Sequence, residues 1–153
     1  MKRSSWWLWL LLVVLVALFS QRGHLGQTAT ASANPADSSD DGTAAFANAY
    51  AKHLSHIQLQ GSGMVTKVLP DDTEGLRHQR LIVQLGGDRG QVILIAHDID
   101  IAPRVDGIRA GDTLAFNGEY IWTERGGVLH WTHHDPQHRH PDGWLRFNGR
   151  TYQ

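Results

Sequence analysis

Five of the ten histidines fall between residues 130 and 140, in the stretch HWTHHDPQHRH. Imidazoles at this density, with Asp135 among them, suit three roles: a transition-metal site, an acid/base centre, or a hydrogen-bonded polar rim around an Asp-Pro turn. The chain has no cysteine, which excludes disulfides, thiol catalysis and thiolate ligands. Any metal, zinc or another divalent transition ion, must therefore be held by His and carboxylate.

Spacing narrows the ligand set. On an extended strand, residues two apart lie about 6.7 Å from each other on one face, whereas residues four apart stand ~13 Å apart. His130 and His134 cannot share an ion on such a strand. The workable ligands are His133 or His134, Asp135, and His138 with His140, gathered where Pro136 turns the chain. With three of these and a water, the site would suit metal-assisted hydrolysis, of phosphodiesters for instance. With the ligands alone it would suit a metal-binding accessory protein.

A second polar group comes from IAHDIDIAPR, residues 95–104. His97 is expected near the same barrel mouth as His133, with Asp98 or Asp100 orienting an imidazole and Arg104 facing developing negative charge. Glu119 and Trp144 complete this candidate polar site. The structural alternative has Asp98 capping a turn and Arg104 paired with Asp100 in solvent. Nucleophilic catalysis lacks support, since there is no Gly-x-Ser-x-Gly elbow and no glycine-rich phosphate loop leading into a helix. Asp71, Asp72 and Glu74 form an acidic loop that reads as solvated sooner than as a hard-cation site.

The elements that position these residues are mostly strands. An Ala-rich helix is expected over 43–55, with Phe46, Tyr50 and Leu54 on one face. Strands follow at 57–69, 80–85, 91–97, 111–123 and 128–134. Gly61 and Gly63 mark a bulge or bend in the first, and Gly86-Gly87 turns the second into the third. Taking Arg125-Gly126 as a two-residue turn pairs Trp122 with Leu129, Tyr120 with Trp131 and Gly118 with His133 on a core-facing side, and Ile121 with His130 on the other. Asn148-Gly149 predicts a closing hairpin with Phe147 opposite Arg150 and Leu145 opposite Tyr152, covering a barrel end and burying Trp144. The expected class is all-β: a small OB-like barrel of five main strands with a short N-terminal helix and a C-terminal hairpin. Another small barrel or a two-layer sandwich is the competitor.

The chain's 153 residues suffice for one domain. Lys2 and Arg3 precede an apolar run from Trp6 to Phe19, so residues 1–20 read as a signal peptide or an N-terminal membrane anchor, residues 21–42 as a disordered linker and 43–153 as the domain. Either fate of the first segment places the domain outside the cytoplasm, periplasmic or tethered to the inner membrane, with the membrane touched only through that segment. The chain carries 14 basic and 15 acidic residues. This balance argues against long nucleic acid as a partner.

Through IAHDIDIAPR, GDTLAFNGEYIW, GGVLHWTHHDP and the ending HPDGW…NGRTYQ, the chain resembles a family of small exported bacterial proteins of unknown function. The resemblance covers about residues 56–153 and implies no activity. The family pattern carries Asn at the position of Asp98 and Gly at that of His138, which implies that neither residue is required and narrows the metal ligands to His133, His134, Asp135 and His140. Two kinds of function remain: a binding module for a small or oligomeric ligand on the face of strands two and three, and a metal-dependent hydrolase or metal-binding protein.

Overall fold

A computed structural model describes residues 37–153 apart from 74 and 88, with side chains described from residue 42 onward. The expected export segment, and the expected linker up to residue 36, lie outside the described residues. The element order is one helix, α1 (Asp37–Ala51), followed by β1 (Ile57–Val68), β2 (His78–Gln84), β3 (Val92–Asp98), β4 (Thr113–Ile121), β5 (Val128–His130), β6 (Trp144–Phe147) and β7 (Arg150–Tyr152). Among the described residues, no helix is long and apolar enough to cross a membrane.

The helix starts six residues before the expected Thr43 and stops four before Ser55. Its end is a left-handed cap. His53 takes φ 53°, its N–H donates to Tyr50 O (3.1 Å), and the Leu54 N–H reaches back to Ala49 O (2.9 Å). This is the Schellman arrangement, and it leaves Leu54 exposed instead of on the buried face. Phe46 and Ala49 carry that face. The Phe46 ring meets Phe116 and Tyr120 edge-on, at 5.8 and 5.6 Å between centres.

Five strands close into a barrel. β1 is antiparallel to β4 from Ile57↔Tyr120 to Met64↔Thr113, then passes to β2 from Met64↔Gln84 to Val68↔Leu81, with a bulge between Val65 and Lys67. β2 and β3 form the expected hairpin, Gln84↔Val92 to His78↔Asp98. β3 runs parallel to β5, and β5 antiparallel to β4. The ring β1-β2-β3-β5-β4-β1 is a closed mixed barrel of OB-like order. Its interior holds Val65, Leu81, Val83, Ile93, Ile95, Leu114, Phe116, Tyr120 and Leu129, all fully buried. The closing hairpin has the expected register, Phe147↔Arg150 and Leu145↔Tyr152, and adds to the free part of the β4 edge through Asn117↔Trp144.

Three expectations are corrected. The β4–β5 register is offset by two residues: Tyr120 faces Leu129 and Glu119 faces His130. The connection is a longer turn in which Gly126 and Gly127 take φ 106° and 110° and their N–H groups donate to Thr123 O and Thr123 Oγ1. The Tyr120 hydroxyl donates to Gly126 O (2.9 Å), and a Cβ at Gly127 would stand 2.2 Å from the Tyr120 ring. A shift by two preserves the alternation, so Tyr120 and Leu129 still point inward. It does not save Trp131, which lies past the strand's end at φ 49° and is 36% exposed, not in the core. Likewise Trp144 is half-buried, its ring under the Arg146 guanidinium at 4.0 Å, while Leu145, Phe147 and Tyr152 supply the buried contacts.

At Gly63, where β1 changes partners, a Cβ would lie 2.5 Å from Gln84 O and 2.7 Å from Val83 Cγ1. Gly63→Ala is expected to destabilise the barrel by roughly 1–3 kcal/mol through forced displacement of β2. The measurement is the urea midpoint at unchanged slope.

Candidate functional site

The residues between β5 and β6 build a rim around one carboxylate. Asp135 is 1% exposed and accepts the N–H groups of Gln137 (3.0 Å), Arg139 (2.6 Å) and His140 (3.2 Å). Asp-Pro turns favour this, because the Asp side chain can bind backbone amides a few residues on. Burial alone would raise the Asp135 pKa, but the three amides together outweigh it and hold the group at about 2. Asp142 ties the other side: its carboxylate accepts from the Asp135 N–H (2.9 Å) and bonds His134 Nδ1 (2.8 Å), which draws its pKa down.

Inside this rim the rings converge. His133 is 3% exposed, and its Nδ1–H donates to the His134 carbonyl (2.8 Å). His140 donates from Nδ1 to Pro141 O (2.9 Å). The two imidazoles meet edge-to-face at 5.0 Å between centres. Trp131 is stacked against both His140 (4.4 Å, 11°) and His130 (4.8 Å, 27°). Together with Leu76, His78, Ala96, Asp98, Ile101 and Arg139, these residues line an open cleft of about 320 Å³ over β2, β3 and the end of β5.

Behind the cleft, Glu119 is 8% exposed and accepts a hydrogen bond from His56 Nδ1 at 2.7 Å. His130 Nε2 stands 3.5 Å from the same oxygen without forming a hydrogen bond. Burial lowers the His130 pKa, and the Glu119 charge only partly offsets it. His97 is fully buried. It bonds Thr132 Oγ1 through Nδ1 (2.8 Å) and Pro103 O through Nε2 (3.1 Å), so Nε2 carries the proton and Nδ1 accepts from the hydroxyl. Burial, first, lowers its pKa, and the neutral ring clamps the β3–β4 connector to the rim.

The sequence-derived candidates therefore separate. His133 and His140 come together in the cleft, with the Asp135 carboxylate beneath them and Oδ2 3.8 Å from His140 Nε2. His134 turns outward to Asp142, and His138 is exposed at φ 52°. Asp98 lines the cleft and its Oδ1 caps the turn by accepting the Asp100 N–H (2.9 Å). Asp100 is bound by Arg77, whose amide and guanidinium hold the carboxyl below its usual range. Arg104 pairs with Asp71 of the first loop and not with Asp100. Among the described residues, no group of three His, Asp or Glu side chains is arranged to hold a metal ion. Sequence reasoning missed His78, Trp131 and Arg139 as lining residues. His78 opens β2 on the same outward face as Arg80 and Ile82, and that alternation was its signal.

A family model for proteins of unknown function, DUF3465, matches residues 27–153. The chain belongs to the DUF3465 family. A search of curated proteins finds no match. The stretches HWTHHDP and GW…NGRTYQ both fall in the DUF3465 region, and the structure gives them distinct roles: the first builds the rim and the second the hairpin that continues the β4 edge.

Removing the acceptor of three amides should loosen the rim. Asp135→Ala is expected to lower Tm by several degrees, with Asp135→Asn milder because one amide oxygen still accepts. The lowered carboxyl pKa contributes stability that is full above the unfolded value near 3.8 and is lost as pH falls toward about 2. The gap in urea midpoint between wild type and Asp135→Asn should therefore shrink from pH 5 to pH 2.

Proposed function

We propose that this DUF3465 domain is a non-catalytic binding module working outside the cytoplasm, and that its cleft holds a ring-bearing polar oligomer, an oligosaccharide in the first instance. One observation carries this reading: Trp131 lies 36% exposed at the cleft, its ring stacked against two imidazoles and surrounded by hydrogen-bonding groups. The part of the indole that the two imidazoles leave exposed offers a sugar ring an apolar contact, and imidazoles, Asp98 and Arg139 offer its hydroxyls donors and acceptors.

The location supports it as well. The cleft lies over β2 and β3 beside the first loop, the face on which OB-type barrels bind oligomeric ligands, which is an argument from fold analogy. The near-neutral charge of the chain favours an uncharged oligomer over a polynucleotide. Placement outside the cytoplasm rests on the charged start and apolar run of residues 1–20. A hydrolase would need three ligands and an activated water, and Arg104 is engaged by Asp71 away from the cleft.

The test is titration of the chain with chitohexaose, cellohexaose and a thymidine hexanucleotide, followed by tryptophan fluorescence and amide NMR shifts. At least one sugar is expected to bind with shifts at Ala96, Asp98 and Trp131, and Trp131→Ala should weaken it by roughly tenfold, the worth of one stacked ring. Preference for the hexanucleotide, or sugar binding indifferent to Trp131→Ala, would sink the proposal.

A further inference from the structure

We infer that His133 and His140 form a two-imidazole site for a divalent transition-metal ion, with Cu²⁺ the tightest, whose remaining positions open into the cleft. This is narrower than a four-ligand site, because His134 turns away and Asp135 is spent on backbone amides. It stands independently of the sugar reading.

Three observations support it. The first is the tautomer. Each ring gives its Nδ1–H to a backbone carbonyl, His133 to His134 O at 2.8 Å and His140 to Pro141 O at 2.9 Å. In the neutral tautomer with Nδ1–H so placed, Nε2 is the lone-pair nitrogen, the arrangement by which proteins orient metal-binding histidines.

The second is geometry. An ion about 2.0–2.1 Å from an imidazole nitrogen lies ~3.2 Å from the ring centre, so two rings on one ion at a near-tetrahedral angle have centres roughly 5 Å apart. The rings of His133 and His140 are 5.0 Å apart and steeply inclined, at 84°.

The third is preorganisation. His133 is 3% exposed and the His140 side chain 5% exposed, yet both line an open cleft. The stack on Trp131 fixes the His140 plane, and Asp135 Oδ2, 3.8 Å from His140 Nε2, places a negative charge beside the ion. With nitrogen donors and no thiolate, the set favours borderline ions, and the general order of affinity puts Cu²⁺ above Zn²⁺.

The experiment uses the full chain, without a histidine tag and stripped by EDTA, titrated with Cu²⁺ and with Zn²⁺ against a competing chromophoric chelator. One equivalent of each ion is expected to bind, Cu²⁺ more tightly. His133→Gln and His140→Gln should each weaken it by roughly tenfold or more, while His134→Gln and His138→Gln change it by less than about threefold. Because His133 is buried and its variant risks misfolding, imidazole ¹⁵N shifts of the wild-type protein are read in parallel on Zn²⁺ addition. Nε2 of His133 and His140 should move together. Absence of stoichiometric binding, unchanged affinity in both the His133 and His140 variants, or shifts confined to His134 and His138 would each overturn the site. Sugar titrations in EDTA test the other reading separately, since that reading needs no ion.

Discussion

The barrel depends on one strand serving two neighbours. β1 gives its first eight residues to β4 and its last five to β2, sharing Met64 between them. A sheet closes in this way only if the shared strand bends sharply where it changes partners. The chain meets that demand with two small residues and a bulge. Gly61 lies against the rings of Phe46 and Phe116, Gly63 lies against Gln84 O, and the register slips between Val65 and Lys67. Once β1 is bent, the helix can dock, since Gly42 approaches Gly61 so closely that a Cβ would stand 2.8 Å from its Cα. Closure also removes the free edges that a five-strand sheet would otherwise present to other chains.

The same closure explains where the cleft lies. The far edge of β4 is divided: Glu119 to Ile121 pair with β5, and Ala115 to Asn117 pair with β6. Between them Gly118 has no room for a side chain, as a Cβ would sit 2.4 Å from His130 O. The chain after His130 is therefore displaced from the sheet and returns at Trp144. Residues 131–143 form the loop this competition creates, entered by the left-handed Trp131 and closed by the Gly143 N–H donating to His133 O at 2.9 Å. A non-glycine residue at positive φ costs free energy, and here the outlier turns an indole outward beside the histidines. Asp135 then sets the loop's shape by gathering three amides within a buried turn.

How much of this could be read from the sequence follows from which forces are local. The Asn148-Gly149 hairpin was legible to the residue because a two-residue turn fixes its own register, whereas of the β2–β3 hairpin the glycine-rich turn revealed the pairing and not the register. The faces of β4 and β5 were also legible, since period-two alternation survives a two-residue slip. The length of β5 was not. Residues 131–134 look as good a strand as 144–147, and the sequence does not reveal that both compete for one edge. Long-range partners were hidden in the same way: Arg104 goes to Asp71 and Asp100 to Arg77, pairings set by how the first loop folds over the β3–β4 connector. Of the histidine cluster, density was visible and division was not. Only the fold shows His133 and His140 turned in, His134 and His138 turned out, and His78 brought in from another strand.

What the cleft can bind depends on protonation as much as on shape. Among the imidazoles that line the cleft, His130 is pushed toward the neutral form by burial. The His97 ring is neutral by desolvation, and His130 is pushed the same way despite Glu119. The rings of His133 and His140 have their Nδ1–H groups fixed on carbonyls. Neutral rings with one nitrogen donating to the backbone present a lone pair on the other, and a lone pair accepts a hydroxyl proton or coordinates a metal; it does not attract a phosphate. Among the described residues that line the cleft, Arg139 is the one permanent cation, and its Nε stands 3.6 Å from Asp135, which screens part of that charge. The oligosaccharide and the metal ion proposed above would both use groups that Asp135 and Trp131 hold in place.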